Sequence, residues 1–237
     1  MLYSFDVFDT IITRKTAKPT GIFKIMQKEL ETGEVYSDIS RYVRENFYDL
    51  RIKIEKLTRV SYCYNGIQDV TLSQIYDGFV RTGYLTAKQA CRLEELEVGT
   101  EVDHMLGIKE NIDAIKKLLQ DKNRVVLISD MYLERKAIHR ILLSVDEVVA
   151  GLPLYVSSEY KKNKWNGDLF RIVKEKEKAE FSGWIHRGDN LRSDVQIPEA
   201  LGIKTQRFCF EGLRNAEKYV LDQETRGIYT EYAAAAS

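Results

Sequence analysis

The sequence predicts an α/β protein in which a Rossmann-like parallel sheet carries helices on both faces and an all-helical segment follows the first strand. Two observations predict this class. Apolar, strand-like runs alternate with amphipathic helical patterns from about residue 105 onward, which is typical of parallel strands joined by right-handed crossovers. The roughly 85 residues that separate the first strand from this part of the chain contain helical patterns alone.

The first strand is predicted over residues 2–8, because LYSFDVF is apolar and rich in aromatic and β-branched residues. Four helices should follow, in PTGIFKIMQKEL, SRYVRENFYDLRIKIEKL, TLSQIYDGFVRTG and TAKQACRLEELEVG. Thr71 and Thr86 have the position of helix N-caps, and Gly83 and Gly99 that of helix ends. In the last helix, a row of glutamates at positions 94, 97 and 101 indicates a solvated stripe.

The second half of the chain is predicted to alternate. Helices are expected in ENIDAIKKLLQDK, LERKAIHRILLSV, GDLFRIVKEKE and SDVQIPEALG, and strands in RVVLIS, EVVAG, LYVSS, SGWIHRGD and GIKTQRF. We therefore expect residues 1–16 and 105–237 to form the Rossmann-like core domain. Residues 17–104 should form a separate helical domain.

The composition excludes some classes of function. Lys plus Arg equals Asp plus Glu, 36 each, so the chain lacks the basic surplus that non-specific nucleic-acid binding needs. No window is apolar enough to cross a bilayer, and the first residues do not resemble a signal peptide. Three widely spaced cysteines fit a reducing compartment. We expect a cytoplasmic protein that binds neither nucleic acid nor membrane.

Polar residues end several of the predicted strands. Because the carboxyl ends of parallel strands meet at one edge of a sheet, where ligands bind, these side chains should lie together. A carboxylate that follows a buried strand is costly unless something satisfies it. The set comprises Asp6, Ser129, Asp130, Lys164, Asp189 and Asp194.

This ordered set resembles the four motifs of the haloacid dehalogenase superfamily of hydrolases. FDVFDT resembles the first motif, VVLIS the second, KWNGDLF the lysine region of the third, and GDNLRSDV the fourth. The resemblance implies a helical cap over residues 17–104. FDVFDTIITR together with ISDMYL is also similar to a subgroup of hydrolases often linked to surface-polysaccharide enzymes, which makes a polysaccharide-biosynthesis enzyme a candidate partner.

The resemblance implies a Mg²⁺-dependent phosphatase of a small phosphorylated metabolite, with sugar phosphates and acyl phosphates as candidates. Asp6 would attack phosphorus to form an aspartyl-phosphate, a covalent step that divides one hard displacement into two. Mg²⁺ would be held by Asp6, the Phe8 backbone carbonyl, Asp189 and Asp194. Lys164 would be a second catalytic residue, which steadies Asp6 and neutralises the phosphoryl oxygens. Phosphate or substrate would be bound by Ser129, Asp130, Lys164 and Arg14.

One position departs from the pattern. Phosphatases of this superfamily carry a second acid two residues after the nucleophile, and here that residue is Phe8. Asp9 lies three residues after Asp6 and so on the opposite side of an extended segment, which favours a role in the following turn. An aromatic residue at this position resembles the 2-haloacid dehalogenases, whose halide leaves without a proton. A non-catalytic module that binds Mg²⁺ and phosphate is the third alternative.

Overall fold

A five-stranded parallel sheet forms the centre of the protein, for which a computed structural model describes residues 1–63 and 66–209. The strand order is β5-β4-β1-β6-β7, with β1 at Leu2–Phe5, β4 at Arg124–Ser129, β5 at Leu154–Val156, β6 at Trp184–Gly188 and β7 at Lys204–Arg207. A second sheet, which the sequence patterns did not predict, pairs β2 (Ile12–Arg14) with β3 (Met105–Gly107).

Helices lie on both sides of the five-stranded sheet, as predicted. No helix in the described part of the chain combines the length and hydropathy that a membrane span requires. The α-helices are α1 Gly21–Thr32, α2 Arg41–Glu45, α3 Phe47–Cys63, α4 Leu72–Arg81, α5 Ala87–Asp103, α6 Lys109–Gln120, α7 Arg135–Val145, α8 Glu147–Ala150, α9 Ser157–Tyr160, α10 Asp168–Glu177 and α11 Ile197–Ala200. Glu34–Tyr36 and Phe181–Gly183 are 3₁₀ turns, and Leu191–Gln196 is π-helical.

The central strand is β1, which pairs with β4 on one side and with β6 on the other. Five of the six residues of β4 are buried, which explains its continuous apolar run, because strands inside a parallel sheet are covered on both faces. Apolar side chains from β1, β4, β6 and α10 share one core cluster. The Rossmann-like α/β class predicted from the sequence is confirmed.

Residue contacts divide the chain into two compact units. The first contains Met1–Thr13, Ile67–Asp69 and the described chain from Met105 onward, and the second contains Arg14–Gly66 and Val70–His104. The three residues Ile67–Asp69, which lie within the range predicted as a helical domain, thus group with the sheet. Part of the range predicted as core, residues 210–237, lies outside the described residues.

Two predicted helix starts in the second unit are confirmed. Thr71 and Thr86 each accept a hydrogen bond from a backbone N–H three residues on, and Gln74 and Gln89 accept in return from the N-cap N–H groups. These reciprocal capping boxes satisfy donors that the first helical turn would otherwise leave unpaired. Gly99, however, does not end α5, which continues to Asp103. Buried side chains on both sides of Gly99 keep packing, and this outweighs the cost of about 1 kcal/mol for a glycine inside a helix.

Two further predictions are wrong. EVVAG was expected to be a strand, but Glu147–Ala150 is helical, because the Asp146 side chain accepts from the N–H groups of Val148 and Val149 and caps the turn. The glutamates of α5 are not a solvated stripe, since Glu97 and Glu101 are fully buried. Arg51 binds Glu97 through two hydrogen bonds of 2.7 and 2.8 Å, and a second arginine binds Glu101.

Candidate active site

Asp6 follows β1 at the carboxyl edge of the sheet, in the first unit. Its N–H continues the parallel ladder by donating to the Arg187 carbonyl at 2.8 Å, which holds its backbone against β6. The carboxyl group is buried, and burial raises its pKa well above the usual value; Lys164 opposes this effect, and neighbouring carboxylates add to it. A negative charge at this position therefore needs cations close by.

The chain turns sharply after Phe8. Asp9 has a left-handed backbone with φ of 58°, its N–H donates to the Ile12 carbonyl at 2.6 Å, and its carboxylate accepts from the Thr13 hydroxyl at 2.9 Å. Aspartate is among the residues that tolerate this conformation. The interpretation of Asp9 as a turn residue is confirmed, and Phe8 is half-buried between the two acids.

Ser129 and Asp130 follow β4, but they play different parts. The Ser129 side chain is buried, and its hydroxyl makes no hydrogen bond with another described residue. The Asp130 carboxylate accepts from the backbone N–H of Lys164 at 2.8 and 3.0 Å and from that of Trp165 at 3.4 Å. Asp130 thus holds the loop that carries Lys164, and its predicted contact with phosphate stays a prediction.

Lys164 brings the site together. Its ammonium donates to Asp6 Oδ1 at 2.5 Å and to Asp194 Oδ1 at 2.6 Å, and only 2% of its side chain is exposed. Burial would lower the pKa of this lysine, but Asp194, Asp6 and Asp130 outweigh that effect and raise it. The lysine is therefore a permanent positive charge beside Asp6.

The two acids of the GDNLRSD segment complete the cluster. Burial together with Asp194 and Asp9 raises the pKa of Asp189 to about 6. Burial would raise the pKa of Asp194 as well, but the nearby Lys164 and the hydrogen bond from His186 outweigh this effect and lower it. Gly188 permits the close approach of Asp194, because a Cβ at Gly188 would lie 2.5 Å from the carboxyl carbon of Asp194. Both acids belong to the set predicted from the sequence.

Three further buried residues of this region are not among those predicted from the sequence. Ser4, Trp184 and His186 form a hydrogen-bonded row that ends on Asp194. Burial lowers the pKa of His186 despite the adjacent carboxylate. The signal was the period of two in β6, which places Trp184 and His186 on one face of the strand.

The residues present fit a divalent cation. Asp6, Asp189 and Asp194 each offer a carboxylate oxygen, and the three oxygens lie within 4.8 Å of one another. Three carboxylates lie near a single ammonium, and burial together with the neighbouring carboxylates raises the pKa of Asp6 and of Asp189. Hard oxygen donors suit Mg²⁺ in preference to softer metals. The Phe8 carbonyl remains a predicted fourth ligand.

Arg14 is engaged elsewhere. It belongs to the second unit, where its guanidinium donates to both carboxylate oxygens of Glu101 at 2.8 to 3.1 Å, and both side chains are buried. The bidentate geometry is that of a strong arginine–carboxylate pair. Its predicted contact with the substrate stays a prediction.

Solved structures share this architecture. A haloacid dehalogenase-family enzyme from Bacteroides thetaiotaomicron, in complex with magnesium and inorganic phosphate, has a TM-score of 0.54 at 14% identity over 87% of this chain and 92% of its own. A haloacid dehalogenase-like hydrolase from Xanthomonas campestris has a TM-score of 0.56 at 16% identity, covering 96% and 94%. A 2-haloacid dehalogenase from Pseudomonas syringae pv. Tomato DC3000 reaches 0.59 at 14% identity, covering 87% and 85%.

The chain has the haloacid dehalogenase fold. No protein-family model matches its sequence, and no curated protein sequence matches it. Identities of 14% to 16% establish the fold alone. Within this fold, the acids, the lysine and the serine that the motif resemblance singled out lie around the end of the central strand.

Proposed function

We propose that this protein is a Mg²⁺-dependent hydrolase of a small phosphorylated metabolite, with Asp6 as the nucleophile. The observation that carries the proposal is the position of the Lys164 ammonium, which contacts Asp6 and Asp194 at once beside a carboxylate cluster of metal-binding size. The solved Bacteroides enzyme in complex with magnesium and phosphate, which has the same fold, supports it.

The contacts of Asp6 suit nucleophilic attack. Oδ1 accepts the Lys164 hydrogen bond, while Oδ2 has no hydrogen bond with another described residue. Oδ2 would attack phosphorus, the P–O bond to the leaving group would break, and the resulting aspartyl-phosphate would be hydrolysed by water. Mg²⁺, when bound, would offset the repulsion between the carboxylate and the phosphate dianion. Lys164 and the Ser129 hydroxyl would bind the phosphoryl oxygens.

The leaving group receives no proton from the residues next to Asp6. Phe8 has no acidic proton, and the Asp9 carboxylate is occupied by Thr13 in the turn. General acid catalysis is typically worth 10²–10⁴-fold, so its absence matters most for poor leaving groups. Acyl phosphates and phosphoanhydrides have leaving groups that depart as weak bases. We therefore propose that they are better substrates than sugar or alkyl phosphate monoesters.

The test compares wild type with Asp6→Asn on acetyl phosphate and on an aryl phosphate, each with Mg²⁺ or with EDTA. Wild type should hydrolyse acetyl phosphate in Mg²⁺ and lose this activity in EDTA. Asp6→Asn should fall to the background rate while its circular dichroism spectrum stays native. Activity retained in Asp6→Asn would refute the assignment of the nucleophile.

Two alternatives have a specific observation behind them. Phe8 and the fold shared with the 2-haloacid dehalogenase favour halide displacement, for which release of chloride from 2-chloropropionate in the presence of EDTA would be decisive. The cation-sized acid cluster alone would also serve a binding module. Such a module would show no turnover, while Mg²⁺ and orthophosphate would still raise its melting temperature. A polysaccharide-biosynthesis partner and a cytoplasmic location remain part of the proposal.

A further inference from the structure

A row of buried polar side chains lies between β1 and β6. Ser4 pairs in register with His186, and Trp184 precedes His186 by two residues, so all three occupy one side of the sheet. None of the three is exposed to solvent. Polar groups buried to this degree cost free energy unless each finds a hydrogen-bond partner. Each of the three side chains therefore needs a hydrogen-bond partner within the protein.

The chemistry of the groups sets the direction of these hydrogen bonds. The Trp184 indole can only donate, and its Nε1–H lies 2.7 Å from Ser4 Oγ. The Asp194 carboxylate can only accept, so His186 Nε2, at 3.1 Å from Oδ1, carries the proton. In the neutral ring Nδ1 then accepts from the Ser4 hydroxyl at 2.7 Å. Donation runs one way along the row, and it ends on Asp194.

Asp194 is also where the row meets the candidate active site. Its Oδ1 accepts from both His186 and the Lys164 ammonium, while Oδ2 accepts from the Asn190 N–H at 3.0 Å. The same ammonium holds Asp6. A rotation of the Asp194 carboxyl would therefore displace Lys164, and with it the contact to Asp6.

We propose that His186 is a positioning residue for Asp194, and that Ser4 and Trp184 hold its ring in the tautomer that this role requires. The proposal rests on the proposed Mg²⁺ and phosphate site, because that site is what the orientation of Asp194 serves. Phe170 packs edge-on against the imidazole, with centroids 5.0 Å apart and planes at 81°, and restricts its rotation. Groups behind a metal ligand commonly fix ring tautomer and ligand orientation in this way.

The first test needs neither metal nor substrate. The chain contains three histidines, so ¹⁵N-labelled histidine gives a small set of ring signals, and the set that disappears in His186→Gln belongs to His186. In the wild-type protein that ring should be the Nε2–H tautomer, and Ser4→Ala should weaken this preference. A ring that carries its proton on Nδ1 would overturn the proposal.

The second test compares two amide substitutions. In His186→Gln the amide reaches toward the place of Nε2 and can still donate to Asp194, whereas in His186→Asn it lies near the place of Nδ1 and cannot. The readout is the Mg²⁺ concentration that gives half of the maximal thermal stabilisation. We expect His186→Asn to raise it roughly tenfold and His186→Gln to change it by less than about threefold, as is usual for groups behind a ligand.

Val173→Ala is the matched control, because Val173 lies in the same core cluster as Trp184 and has no polar side-chain atom. It should lower the melting temperature and leave the Mg²⁺ midpoint unchanged. If His186→Asn behaves like Val173→Ala, His186 has a packing role and the proposal is wrong.

A second variant covers the case in which His186→Asn does not fold. Ser4→Ala must then raise the Mg²⁺ midpoint, and an unchanged midpoint in Ser4→Ala overturns the proposal. If wild type itself ignores Mg²⁺, the proposed function fails, while the tautomer measurement still decides the arrangement of the row.

Discussion

Two aspartates three residues apart have different environments in this protein. Asp6 is buried at the end of the central strand, where Lys164 holds it, whereas Asp9 is exposed in a left-handed turn and accepts from Thr13. Phe8, which directly precedes Asp9, occupies the position where the motif resemblance places the proton donor of phosphatases. The identity of this one side chain therefore bears on the kind of leaving group that the site can expel.

Replacing Phe8 with aspartate should restore that donor. Hydrolysis of aryl and alkyl phosphates in Phe8→Asp should rise by about 10²-fold or more, while hydrolysis of acetyl phosphate should change little, because its leaving group needs no proton. The measurement is kcat/KM for each substrate in Mg²⁺. Phe8→Asn provides the control, since it makes nearly the same truncation without the acid. Equal rates in the two variants would show that the missing acid is not the limitation.

At the scale of elements, the sequence was informative where the signal is local. Helix caps such as Thr71 depend on residues three apart, and the strands end in polar residues because the chain must turn there. The strand predicted for EVVAG was wrong because an apolar run of four or five residues does not distinguish strand from helix. The preceding Asp146 caps this run, and so it forms a helical turn. The pairing of β2 with β3 escaped prediction because it joins segments about 90 residues apart.

In the candidate active site too, the sequence predicts the residues that depend on local signals and not those that depend on long-range pairing. Asp6, Ser129, Lys164 and the two acids after β6 could be predicted, because the ends of parallel strands meet at one edge of a sheet. The row behind Asp194 could not be predicted, because it depends on the register that places Ser4 beside His186. The buried glutamates of α5 were missed for a related reason, since their arginine partners come from distant segments.

The pairing between α3 and α5 leads to a prediction at this scale. Arg51 and Glu97 are both fully buried, and the Tyr76 hydroxyl also donates to Glu97 at 2.8 Å. Glu97→Gln should lower the free energy of unfolding by about 3 kcal/mol, because it removes the fully buried countercharge of Arg51 and leaves only the half-buried Glu55 carboxylate, at 2.8 Å, to offset that charge. Urea denaturation measures this effect.

Two control variants test whether the stability lost in Glu97→Gln comes from the buried ion pair. Glu95→Gln, on the exposed side of the same helix, should change the free energy of unfolding by about 0.5 kcal/mol or less. The double variant Arg51→Met with Glu97→Leu should recover much of the loss, since an apolar pair removes the unpaired charge. A Glu97→Gln variant as stable as wild type would mean that the ion pair contributes little.

Across the whole molecule the charges balance, 36 basic against 36 acidic residues, yet the candidate site holds an excess of carboxylates. The pKa of Asp189, about 6, lies above the usual value near 4, so the folded protein retains a proton that the unfolded chain gives up. Without metal, this contribution to stability is present at low pH and is lost as the pH rises through about 6. Asp6, whose pKa is also raised, acts in the same direction.

Protons and Mg²⁺ should therefore compete for the site. Because a group with a pKa of about 6 is only about one-tenth ionised at pH 5, the Mg²⁺ concentration for half-maximal thermal stabilisation should be roughly tenfold higher at pH 5 than at pH 8. Melting curves over a Mg²⁺ series at the two pH values measure it. Asp189→Asn should abolish the Mg²⁺ response at both, which separates this effect from histidine titration elsewhere in the chain. Equal midpoints at pH 5 and pH 8 would place Mg²⁺ away from Asp189, because a cation bound to that carboxylate must displace its proton.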